Sequence, residues 1–66
     1  MKRKELKNLA NKIAKAELKY QSATSTEEKK EAENEIIRLS GKVQNVEDML
    51  LLDDLVQDSI KELSWH

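Results

Sequence analysis

Leu6, Leu9, Ile13, Ala16 and Tyr20 recur at steps of three and four residues. A strand, whose side chains alternate at every second position, cannot put such a set on one face, whereas a helix does so without strain. The spacing predicts an amphipathic helix over residues 3 to 22, with Lys4, Lys12, Lys15 and Lys19 on its far side. The same steps return in Ala32, Ile36, Leu39, Val43, Val46 and Leu50. They return again, in a different phase, in Met49, Leu52, Val56, Ile60 and Leu63, with Leu55 at the edge. A chain of 66 residues with no proline and one glycine has little that interrupts helices. The fold class expected is therefore all-α.

The segment Ser22-Ala23-Thr24-Ser25-Thr26-Glu27-Glu28 separates the first two stripes. Thr24 with Glu27 and Ser25 with Glu28 both fit the capping box, in which a hydroxyl accepts from an amide three residues on and the carboxylate reaches back. A tight turn and a second helix follow from it, and so short a connection makes consecutive helices antiparallel neighbours. Lys29 with Glu33 and Glu35 with Arg38 stand at spacings that support the exposed side of that helix.

Two readings compete at Ser40-Gly41. In one, Gly41 caps a helix and Asn45 starts another above Glu47 and Asp48; in the other the helix runs through, at about 1 kcal/mol for the glycine. The unbroken steps from Ala32 to Leu50 predict continuation over residues 26 to 50. The last stripe is centred about 140° round the helix from its predecessor, at 100° per residue. Leu50 then belongs to the earlier face, Leu52 to the later one, and Leu51 to neither centre. Two arrangements satisfy this changeover. Either the chain breaks near residues 51 to 54, where Asp53 or Asp54 caps a short helix of about 54 to 64, or one long helix offers its second face to another molecule. The expected architecture is one domain over residues 1–66, an antiparallel helical hairpin plus a short C-terminal helix, built as a three-helix bundle or as an intertwined helical homodimer.

Chemistry is narrowed by what the chain lacks. Without cysteine there are no disulfides and no thiolate metal site, and the sole histidine is His66. Lys2-Arg3-Lys4 precedes no apolar segment of signal-peptide or membrane-span length, so a cytoplasmic location and no membrane partner are expected. Asp54, Asp58 and Glu62 line one helix face beside Lys61 without a ligand loop, which reads as a solvated acidic face. Carboxylates on the solvent faces of so small a bundle have no cleft in which to shift their pKa, and Gly41-Lys42 lacks the upstream glycine of a phosphate loop. No enzyme activity, cofactor or small-molecule substrate is expected.

Binding remains. Net charge is −1, but residues 1 to 19 hold seven Lys/Arg against two acids, while residues 20 to 66 hold five against eleven. Lys4, Lys7, Lys12, Lys15 and Lys19 form a candidate nucleic-acid face, weakened by scarce arginine and by the absence of an aromatic to stack bases. The stronger candidate is the last apolar stripe, Met49, Leu52, Leu55, Val56, Ile60 and Leu63 with Trp65, read as a protein interface. The function expected is a non-catalytic interaction module that self-associates, most simply as a dimer, or binds a target protein. Regulation or inhibition would act by occlusion, with the acidic half covering a basic site on the partner.

Overall fold

The computed structural model describes residues 2–64, which form three helices, α1 (Arg3–Ser22), α2 (Thr26–Ser40) and α3 (Val46–Ser64), and no strand among the described residues. Helix α1 packs against both of the others, which make little contact with one another. The result is a slab with Cα extents of 35 × 27 × 14 Å.

Helix α1 is the shared partner because its buried arc is wide. Leu6, Leu9 and Ile13 are buried as the stripe predicts, and Ala10 and Ala14, four residues apart, are completely buried beside them. Alanines at this spacing let a neighbouring backbone approach closely, so the arc serves two helices. Tyr20, at the end of the predicted stripe, is exposed. Leu39 and Val43 from the second segment and Leu52 and Val56 from α3 complete the core, with Ile36, Leu51, Leu55, Ile60 and Leu63 packed against it. Ala16 and Ala32 are buried outside that cluster.

Of the two capping boxes, Ser25 with Glu28 is the one that forms. The Ser25 hydroxyl accepts from the Glu28 N–H at 3.2 Å, and the Glu28 carboxylate accepts from the Thr24 N–H at 3.3 Å. Glu27 and Glu28 lie in the first turn, at the positive end of the helix dipole. Neither Glu33 nor Glu35 makes an ion pair or hydrogen bond to another described residue, so the expected side-chain pairs on α2 are not formed.

The helix expected over residues 26 to 50 does not run through, and the one expected at about 54 to 64 starts earlier. Helix α2 ends at Ser40 and α3 begins at Val46. The Gly41 N–H donates to the Ile37 carbonyl in a last α-helical step, and the N–H groups of Lys42 and Val43 donate to the carbonyls of Leu39 and Ser40 in two shorter ones. The Ser40 hydroxyl also donates to the Ile36 carbonyl at 2.7 Å, a bond that competes with the helix ladder. Asn45 then starts α3: its side-chain oxygen accepts from the Glu47 N–H at 2.9 Å and its carbonyl from the Met49 N–H at 2.9 Å. Asp53 and Asp54 are therefore mid-helix residues and not caps. The phase change read at the leucine triplet is produced by residues 41–45, which reset the helical register before α3 begins. Leu52 is buried, Leu51 half-buried and Leu50 exposed, although Leu50 ends the stripe that predicted continuation.

Candidate protein-docking surface

The predicted interface residues are divided by the fold. Leu52 and Val56 belong to the core, and Leu55, Ile60 and Leu63 are half-buried against it. Met49 alone of the described six stands open, and Trp65 lies outside the described residues. Of the two arrangements expected for this stripe, folding back or covering by another molecule, the chain adopts the first over most of its length, with α1 as the cover.

A different apolar surface is left uncovered. Val46 (70%), Leu50 (66%), Ile37 (61%), Met49 (51%) and Tyr20 (41%) are the large apolar residues that remain exposed among the described residues. On α3, Val46, Met49, Leu50 and Asp53 stand at steps of three and four, so they are contiguous on the first two turns. On α2, Glu33, Ile36, Ile37 and Ser40 stand in the same relation. Between the helices lies an open depression of about 160 Å³, with Ile13 and Glu17 at its base, Ile36 and Ser40 on one wall, and Met49, Asp53 and Val56 on the other. Glu17 and Ile36 also border a second depression that extends past Tyr20, Gln21 and Glu33. The two adjoin at Glu17 and Ile36 and together follow α1 from Ile13 to Tyr20 as a trough.

The first depression holds about 160 Å³ and the second about 270 Å³, each below the roughly 300 Å³ of a typical small-molecule pocket and each on the scale of a few inserted side chains. Each helix contributes one carboxylate to the trough: Glu17, Glu33 and Asp53. None of the three makes a hydrogen bond or ion pair to another described residue, and no Lys or Arg lines either depression. Larger depressions, of about 400 and 420 Å³, lie around Lys19 and Glu35 near the first turn. Lys19, Ser22 and Glu35 line both of them, with Glu28 and Glu31 added in the first and Lys12 and Lys15 in the second.

Lys4, Lys7, Lys12, Lys15 and Lys19 are all exposed. On the helical wheel they share the arc of α1 left free by Leu6, Leu9, Ala10, Ile13 and Ala14. Asp54, Asp58 and Glu62 are exposed on α3, and among the described residues no three His, Cys, Asp or Glu are placed to hold a metal ion. No described helix is long and apolar enough to cross a membrane.

Sequence periodicity placed Val46 and Leu50 inside, and they are exposed. The signal that finds them is Asn45 ahead of Glu47 and Asp48: with a helix started there, Val46 and Leu50 fall about 120° and 160° from Leu52 on the wheel. No family model, curated protein or solved structure matches the chain.

Proposed function

We propose that this chain is a non-catalytic protein-interaction module. Its α1 and α2 form an antiparallel hairpin, α3 folds back on α1, and the trough between α2 and α3 receives a partner protein. The observation that supports this best is the cluster of Val46, Met49 and Leu50, more than half exposed on the first turns of a helix whose other face is buried in the core. A small domain with few large apolar residues gains nothing in stability from leaving three of them in water, and contiguous exposed apolar surface marks an interaction site. Leu52 and Val56 fix α3 in place from beneath, while Met49 makes the contact. The acidic trough would cover a basic site on its partner, which is regulation by occlusion.

The test combines solution mass across a concentration series with titration by amphipathic helical peptides of either charge. Association in one of these assays is expected, lost in the pair Met49→Lys and Leu50→Lys with helicity unchanged. A protein that is monomeric throughout and binds no amphipathic helix contradicts the proposal.

The five exposed lysines on one arc of α1 favour a second reading, a nucleic-acid contact. It predicts binding to DNA or RNA at low salt that collapses as salt is added, and no binding at low salt removes it.

A further inference from the structure

Resting on the protein-docking proposal, we infer that the occupant of the trough is a cationic amphipathic helix from another protein, lying along α1 between α2 and α3 as a fourth helix. The shape selects a helix. From Ile13 to Tyr20 the base runs seven residues, about 10 Å at 1.5 Å per residue, which is the distance from the first to the last anchor of an i, i+3/i+4, i+7 pattern. Beside Ile13 and Glu17 the walls are α2 and α3, which pack on the same base and make little contact with each other, and towards Tyr20 the wall is α2. A fourth helix laid over Ile13, Ile36 and Met49 fills the space that three leave open, with its apolar side chains in the concavity.

Charge selects the sign of the occupant. Glu17, Glu33 and Asp53 come one from each helix, carry no partner among the described residues, and border apolar positions that a docked helix would cover. A partner without cations would desolvate three carboxylates with nothing in return. Lysines or arginines flanking its apolar anchors would meet all three.

The same reasoning disfavours a second copy of this chain. Two troughs facing each other across a twofold axis would bring each copy's three carboxylates towards the other's, with no Lys or Arg among the described residues that line them. The basic face of α1 has the right sign, but Leu18 is the only large apolar residue on that arc, so it lacks the repeated anchors a groove needs.

Three synthetic peptides of about 18 residues, long enough for five helical turns, test this against the intact protein. One carries leucines at i, i+3/i+4, i+7 spacing among lysines; one has the same leucines among glutamates; one has the composition of the first in scrambled order. Calorimetric titration is expected to show the lysine helix binding at least about tenfold more tightly than the glutamate helix, with the scrambled peptide weak. Met49→Lys with Leu50→Lys should abolish binding while the far-ultraviolet spectrum is unchanged. Glu33→Gln with Asp53→Asn should reduce the charge preference to about threefold or less and flatten its salt dependence.

Equal affinity for the two amphipathic peptides, or a preference untouched by Glu33→Gln and Asp53→Asn, overturns the cationic occupant and leaves the docking proposal standing. Equal binding of the scrambled peptide overturns the helix-in-trough geometry. A wild-type dimer that Met49→Lys dissociates puts a second copy in the trough and likewise overturns the inference. If no peptide binds and the protein stays monomeric, the docking proposal falls with it.

Discussion

Gly41 ends α2 without using the conformational freedom that distinguishes glycine. Its φ of −66° and ψ of −12° are ordinary right-handed values, and a Cβ built there meets the Ile37 carbonyl oxygen at 3.4 Å, an ordinary contact. Gly41→Ala should therefore stabilise the protein by about 0.4–1 kcal/mol by restricting the unfolded chain, read as a higher urea midpoint at constant slope. A loss of stability would mean that residue 41 needs a conformation other than this one. The residues that do set the boundaries are polar. Ser25→Ala and Asn45→Ala should each cost about 1 kcal/mol, because each removes the side chain that satisfies an otherwise orphaned N–H at a helix start. The Ser25 cap was legible as one of two local matches, whereas Asn45 ahead of Glu47 and Asp48 gave the same kind of local signal but was outweighed by the apparent continuity of the apolar steps. Glycine as a terminator was not legible, because the bonds that end α2 run from residues 41–43 back to carbonyls of residues 37–40 and would form with alanine at 41 as well.

At the scale of the element, the phase of α3 decides what is core and what is surface. Of the face that periodicity drew through Met49, Leu52, Val56, Ile60 and Leu63, Leu52 and Val56 are buried and Ile60 and Leu63 half-buried, because the 3.6-residue repeat holds within one helix, while Met49 at its start is exposed. Periodicity failed between Val43 and Leu50, where the steps of three and four continue by coincidence across residues 41–45, which are not helical. Counting through a loop assigns a face to residues that share none, and Val46 and Leu50 were placed inside on that basis. The alanines of α1 were equally hard to read. Ala10 and Ala14 are buried where α1 is crossed by its neighbours, a fact about tertiary placement. Ala14→Leu should cost about 1–3 kcal/mol by overpacking that crossing, measured by thermal unfolding, whereas Leu18→Ala on the opposite side of α1 should stay within about 0.5 kcal/mol.

For the whole molecule, α1 is the element the other two need. A chain truncated after Val43 keeps α1 and α2 but leaves Leu6, Ala10 and Ala14 without the cover that Leu52 and Val56 complete, and it should lose most of its helical circular dichroism, since isolated helices of this length are marginal in water. The sharpest comparison lies two residues apart on α3. Leu50→Lys and Leu52→Lys add the same charge to the same helix, but one side chain stands in water and the other in the core. Urea denaturation of the two variants should find Leu50→Lys within about 0.5 kcal/mol of the parent and Leu52→Lys unfolded or destabilised by several kcal/mol. Equal losses, or a greater loss at Leu50, would contradict the register of α3 and with it the trough that this register leaves open.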